Sequence, residues 1–401
     1  MFIDRLRASP PLPRDPVLGV TEAFLEDPRP SKVNLGVGIY TDERGRPPEL
    51  AALARARALL AQNGPFLSYL PIDGLKDLGA EAIQLAFGSA AAAVPPQNRL
   101  SIQAPGGTGA LYLVAALAAE LDPAATIHIP DPTWDNHRAV FEAAGCAVRA
   151  YPYWSVGEGL RIEAMLDYLR DLSPGAIVLF QASCHNPTGV DPNADQWRAI
   201  AEVVAARGIV PILDCAYAGL GDGLDEDTRS IRILAQAAPC CFVTWSFSKS
   251  MSLYGERVGA LLGLFPEAAS RERALGLLKR IARTRYSNPP SYGARLAEIV
   301  LRDPDLARSW REDLQAMRER LASLRTRLAG AFRDKGRARA AAMLEGQRGL
   351  FAYGWLADGA AEALREQRGL YMLSSGRICV PAINESNFER VAAALAEYAR
   401  E

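Results

Sequence analysis

The stretch SFSKSMSLYGERVG, residues 246–259, follows the apolar run CFVTW (241–245) and precedes a second one, GALLGLF (259–265). A strand-like segment thus ends in a hydroxyl-rich hairpin that carries Lys249, with Arg257 eight positions later. The chain holds 40 arginines and only five lysines: Lys32, Lys76, Lys249, Lys279 and Lys335. Where charge alone is needed this sequence uses arginine, so a lysine at the end of a buried strand is a candidate for chemistry that requires an amine.

Upstream of this hairpin, apolar runs alternate with amphipathic ones from about residue 100. TIHIPDP (126–132) leads to AVFEAAG, AVRAYPYW (147–154) to LRIEAMLDYLRDL, and AIVLFQAS (176–183) through a loop to ADQWRAIAEVVAARG; IVPILDCAY (209–217) and CCFVTW follow. Continuous apolar strands between such helices predict an α/β fold, with a mostly parallel sheet covered on both faces. Ligands of such sheets bind at the carboxyl ends of the strands. Residues from about 304 to 333 read as one long amphipathic helix, and a few strands plus a closing helix, NFERVAAALAEYARE (387–401), suggest a smaller α+β domain. Residues 1–30 hold six prolines and read as an extended arm.

At 401 residues and 49% hydrophobic content, the chain can bury a large core. A net charge of −1 without a basic run argues against nucleic-acid or membrane-surface partners. No apolar stretch approaches the ~20 residues of a membrane span, and the N-terminus lacks the apolar core of a signal peptide. The six cysteines have no CxxC spacing and read as free thiols in a reducing cytoplasm. Three scattered histidines give no support to a metal site, and none is expected.

GGTGAL (106–111) opens the helical ALYLVAALAAEL, and a glycine-rich helix start offers free N–H groups and a positive dipole end to a phosphate. A plain glycine turn explains it equally well. Other nucleotide signatures fail: GVG at 36–38 lacks a third glycine and there is no GK[ST]. Three further strand ends carry polar groups: Asn186 after AIVLF, Asp214 and Tyr217 after IVPIL, and Ser246, Ser248 and Lys249 after CFVTW. A carboxylate such as Asp214 directly after four apolar residues needs a partner, which an arginine or a helix N-cap would also supply.

Taken together these groups describe pyridoxal phosphate. Lys249 would form the Schiff base, and Asp214 would keep the ring nitrogen protonated. Asn186 and Tyr217 could bond the phenolic oxygen. Gly107, Thr108, Ser246 and Arg257 would receive the phosphate, and Trp134 could stack on the ring. A rival pattern uses the same stretch, since Ser246-Phe-Ser-Lys249 fits the S-x-x-K motif of acyl enzymes. The SDN and KTG elements that accompany that motif are absent.

The sequence also resembles the class I aspartate/aromatic aminotransferases, fold-type I pyridoxal-phosphate enzymes. The likeness runs through VNLGVGIYTDERG, YLPIDGL, APGGTGAL, DPTWDNH, CHNPTG, LDCAY, SFSKSMSLYGERVG, YSNPP and SSGRICV, in that order over nearly the full length. It implies a seven-stranded sheet in a large cofactor-binding domain (47–310) and a small domain (15–46 and 311–401) that closes over substrate. An N-terminal arm (1–14) would contact the partner of a homodimer with composite active sites. Carried over by position, Lys249, Asp214 and Tyr217 are catalytic and Trp134 stacks on the ring. Tyr69 reaches the phosphate in the neighbouring subunit, while Gly38, Trp134 and Asn186 lie against substrate. Arg377 grips the α-carboxylate, and Arg283 receives a distal carboxylate across the interface.

The implied reaction exchanges the amino group of an aromatic amino acid, aspartate or both with 2-oxoglutarate. A strict aspartate aminotransferase and a pyridoxal-phosphate lyase are the alternatives. Ser183 stands where the family usually has cysteine, Ala218 and Leu220 where it has Gln and Phe, and Val380-Pro381-Ala382 where it has V-A-G. These departures alter the pocket wall and leave substrate preference open, while SLYGERVG and LSYLPIDG lean toward the aromatic subgroup.

Overall fold

The computed structural model describes residues 1–10, 18–62 and 68–401. Seven strands form the central sheet: β1 Arg99–Pro105, β2 Thr126–Asp131, β3 Ala147–Pro152, β4 Ile177–Gln181, β5 Val210–Cys215, β6 Cys241–Ser246 and β7 Val258–Leu264. Their order is β1-β7-β6-β5-β4-β2-β3. β7 runs antiparallel to both β1 and β6, and every other neighbouring pair is parallel. The stretch 246–259 therefore connects two antiparallel neighbours, closed at its base by Phe247 N–H donating to Val258 C=O at 3.1 Å. β1 is a strand the sequence reading does not single out.

Both faces of the sheet are buried, which explains the continuous apolar runs. Successive residues alternate between two cores: Val178, Phe180, Leu213, Val243 and Trp245 face one, and Leu179, Ile212 and Phe242 the other. Among the helices around the sheet, α1 (Gly106–Leu121) follows β1, α2 (Asn136–Ala143) follows β2, and α3 (Ala194–Arg207) follows β4. α3 starts on a capping box in which Asn193 and Gln196 each satisfy a backbone N–H of the other. α4 (Ala268–Arg285) follows β7. The long helix expected near 304–333 is α5, Pro304–Asp334, with Asp303 capping its first turn.

Three short pairings lie outside the main sheet: Val33–Asn34 parallel to Leu370–Tyr371, and two antiparallel ones, Phe351–Ala352 with Ile378–Cys379 and Trp154–Ser155 with Gly159–Leu160. The first brings the segment before residue 46 against the C-terminal third. The closing helix spans Phe388–Glu397 and stops short of the chain end.

The extended arm is not what the described residues form. Helices occupy Phe2–Ala8 and Leu18–Glu26, because the prolines cluster at 10–16 and 28–30 and leave the stretches between them free to coil. Residues 11–14 of the expected arm, 15–17 of the expected small domain, and 63–67 before YLPIDGL lie outside the described residues. Among the described residues no helix is long and apolar enough to cross a membrane.

Candidate active site

One cavity of about 140 Å³ opens at the carboxyl ends of β4, β5 and β6. Gly38, Gly107, Thr108, Trp134, Asn186, Asp214, Tyr217, Ser246, Lys249, Arg257 and Arg377 all line it. Every predicted site residue except Tyr69 and Arg283 thus meets there. Those two stay outside the cavity of their own chain: Tyr69 is 88% exposed, and Arg283 is exposed and donates to Ser287 Oγ. The segments that carry them are joined, since Asn288 Nδ2 donates to Leu70 C=O at 2.7 Å.

At one end of the cavity α1 begins directly after β1 without a side-chain cap, so its first N–H groups and the positive end of its dipole are free for an anion. Gly106 adopts φ +71°, and a Cβ there would come within 2.6 Å of Arg257 Nη2. Gly259 on β7 has to be equally bare, because its Cβ would lie 2.6 Å from the Gly106 carbonyl carbon. These glycines allow β7 and the helix start to touch, and they let the Arg257 guanidinium sit against the first turn. Arg257 itself has φ +55° and donates to Tyr254 C=O at 3.0 Å.

At the other end Asp214 is buried at the tip of β5. Parallel pairing sets it beside Thr244 of β6, whose hydroxyl donates to Oδ1 at 3.0 Å. His137 Nε2 lies 3.2 Å from Oδ2, and His137 Nδ1 lies 2.7 Å from Thr133 Oγ1. Trp134 meets His137 edge-on at 5.2 Å. Neither His137 nor Thr244 is found by reading the sequence. His137 lies in the DPTWDNH stretch, where it reads as one of three scattered histidines.

Lys249 projects between these ends, its Nζ 5.4 Å from the Tyr217 ring centre. Burial pushes its ammonium below the ordinary range; Asp214 opposes this, and Arg257 and Arg377 reinforce it. Its loop is fixed from two sides. Trp310 of α5 donates from Nε1 to Ser250 C=O at 2.7 Å, and Tyr254 Oη accepts the Tyr40 N–H at 2.9 Å. Because S-x-x-K here leaves a strand rather than opening a helix, the frame expected for the acyl-enzyme pattern is missing.

Arg377 forms the third wall. Its Nη1 donates to Asn186 Oδ1 and its Nη2 to Gly36 C=O, both at 3.0 Å, and Nε has no protein partner. The guanidinium lies 4.2 Å from the Phe351 ring centre, and burial lowers its pKa. Phe351 also fills the space that a side chain at Gly38 would need, with Cζ 3.0 Å from the position of a Cβ. Asn186 Nδ2 donates to Tyr217 Oη at 3.3 Å, and burial pushes the Tyr217 hydroxyl up. The cavity thus offers an anion cradle, a buried carboxylate, a depressed amine and a second cation with spare donors.

A family model for aminotransferase class I and II matches residues 30–395. The aspartate aminotransferase of Pseudomonas aeruginosa is 42% identical over 387 residues, 96% of this chain and 97% of its own. The aromatic-amino-acid aminotransferase of Escherichia coli is 41% identical over 384 residues, covering 95% and 97%. In three dimensions the chain is similar to the aromatic-amino-acid aminotransferase of Burkholderia pseudomallei, crystallised covalently bound to pyridoxal phosphate. That match has TM-score 0.92, 44% identity and coverage of 97% and 98%.

Proposed function

The chain belongs to the class I and II aminotransferases, and from that premise we propose that it works with pyridoxal phosphate to exchange the amino group of aspartate and aromatic amino acids with 2-oxoglutarate. The observation that carries this reading is the meeting of Lys249, Asp214 and Arg257 at one cavity whose far end is an uncapped helix start.

The residues present fit the cofactor. Gly106 and Gly107 leave a cradle that side chains would fill, ringed by Thr108, Ser246 and Arg257 for a phosphate. Asp214 stands at the other end for a ring nitrogen, and Asn186 and Tyr217 stand between for a phenolic oxygen. When bound, pyridoxal phosphate supplies an aldehyde for an amine to join and a protonated ring that draws the electron pair from the substrate's Cα.

The remaining work falls to this chain. Burial holds the Lys249 ammonium below its ordinary range and so favours the free amine, whose Nζ can take the Cα proton and hand it back. Asp214, held by Thr244 and His137, keeps its charge directed at the ring nitrogen. Arg377 orients the α-carboxylate through the donors that Asn186 and Gly36 leave free, and Trp134 covers the ring.

The chain acts as a homodimer in this reading, with Tyr69 and Arg283 completing the cavity of the other subunit; their exposure and distance from their own cavity support this. Residues 47–310 form the large domain, and 15–46 with 311–401 a small domain that closes over substrate. Unpaired cysteines, most of them buried, suit a cytoplasmic location.

A panel of amino acids assayed with 2-oxoglutarate tests the reading: keto acid and glutamate should form from aspartate and from phenylalanine or tyrosine. Release of ammonia without an acceptor would instead point to a lyase.

A further inference from the structure

Gln181 is the last residue of β4, buried, and paired in register with Asp214 on β5. Its carboxamide makes three contacts. Oε1 accepts the Asn186 N–H at 2.8 Å, while Nε2 donates to Asn186 C=O at 2.9 Å and to Thr133 Oγ1 at 3.4 Å. The amide orientation follows from chemistry, because the flipped form would set oxygen against the Asn186 carbonyl and N–H against its N–H. Thr133 Oγ1, accepting from Gln181, can direct its own hydrogen at His137 Nδ1, 2.7 Å away. His137 then carries its proton on Nε2, which faces Asp214 Oδ2 at 3.2 Å. All donors in this chain point toward the carboxylate.

We propose that Gln181 is a positioning residue for the transfer reaction, fixing with one carboxamide both the backbone of Asn186 and, through Thr133, the tautomer of His137 that faces Asp214. The inference rests on the pyridoxal-phosphate reading above. It assigns Gln181 the coupling between the two ends of the ring, the phenolic oxygen near Asn186 and the nitrogen near Asp214. A side chain without a donor cannot serve both ends.

Two variants test the two ties. Gln181→Leu removes both bonds to the Asn186 backbone and also the donor that fixes the Thr133 hydroxyl, which can then donate to or accept from His137. Gln181→Glu keeps the shape and guards against misfolding, but it donates nothing and turns the Thr133 hydrogen toward itself. The pH midpoint of the visible absorbance of the cofactor-loaded protein is measured for wild type and both variants. Nitrogen-15 shifts of the three histidines are read on cofactor-free and loaded protein.

In Gln181→Leu the midpoint should rise and kcat/KM fall about tenfold or more, the order expected when buried hydrogen-bonding groups lose their partners, with the His137 Nδ1 signal shifted part-way toward the protonated range. In Gln181→Glu the His137 Nδ1 signal should move into the protonated range. Folded variants with wild-type midpoints and wild-type His137 shifts would reduce Gln181 to a space-filling residue. A wild-type protein with no titrating visible band would instead sink the pyridoxal-phosphate reading itself.

Discussion

Thr244 and Asp214 stand side by side on neighbouring parallel strands, and the threonine hydroxyl donates to the Asp214 carboxylate at 3.0 Å. Register alone produces this contact between residues thirty positions apart. With His137 on its other oxygen, Asp214 keeps a fixed direction at the tip of β5.

Asp214→Ala should therefore leave cofactor binding largely intact and cripple the half-reaction. The loss in single-turnover rate should be ~10²–10³-fold, the scale of removing a preorganised charge from a reacting centre. Stopped-flow absorbance with aspartate in excess measures it. A variant retaining most of the wild-type rate would make Asp214 a structural ion-pair residue.

Lys249 predicts a stability effect with a definite sign. Its folded-state pKa lies below the ordinary 10.5, with burial as the main cause, so between the two values the unfolded chain binds more protons than the folded one. Stability contributed at this site thus rises with pH across that window, and below it the folded protein carries the full cost. Cofactor-free Lys249→Met should melt at a higher temperature than cofactor-free wild type at neutral pH. The gap should shrink as pH approaches 10.5. A variant less stable than wild type at pH 7 would contradict the assignment of a strained amine.

Arg283 should discriminate between substrate classes. A charge-assisted pair with a distal carboxylate is worth ~1.5–3 kcal/mol, so Arg283→Ala should cut kcat/KM for aspartate and glutamate about tenfold or more. Phenylalanine and tyrosine should lose far less. Equal losses for all four would put Arg283 outside the side-chain pocket.

Composite sites can be tested by mixing subunits. Lys249→Ala and Arg283→Asp place both of their defects in one site of a mixed dimer, so the other site of each heterodimer is intact. With random exchange, activity toward aspartate should approach roughly a quarter of wild type, the mass-action consequence of a closed two-fold dimer. Lys249→Ala mixed with Arg377→Ala should recover nothing, because every site keeps one defect. Recovery in both mixtures, or in neither after proven exchange, would overturn the subunit assignment.

The fold was legible where physics acts locally. Six of the seven strands, all but β1, announce themselves as apolar runs, and Lys249 and Asp214 stand out because a lone lysine and a carboxylate at strand ends are chemically conspicuous. β1, by contrast, is interrupted by Arg99, Ser101 and Gln103 and blends into its surroundings. His137, Thr244 and Gln181 escaped notice for a different reason. Each gains its role from a partner brought alongside by strand register or by the turn after β2, and no local pattern encodes that adjacency. The N-terminal prolines do not hold the arm extended, because their positions and not their number decide where the chain can coil. The nine residues before Pro10 suffice for two helical turns, and Phe2–Ala8 takes them.

The central claim is that Lys249 carries the reactive amine, and covalent trapping tests it most directly. Protein loaded with pyridoxal phosphate is reduced with borohydride, digested, and the modified peptide is sequenced by mass spectrometry. Only five lysines compete for the label. A single stoichiometric adduct is expected on Lys249, formed with loss of the visible absorbance. An adduct on Lys32, Lys76, Lys279 or Lys335, or none at all, would contradict it.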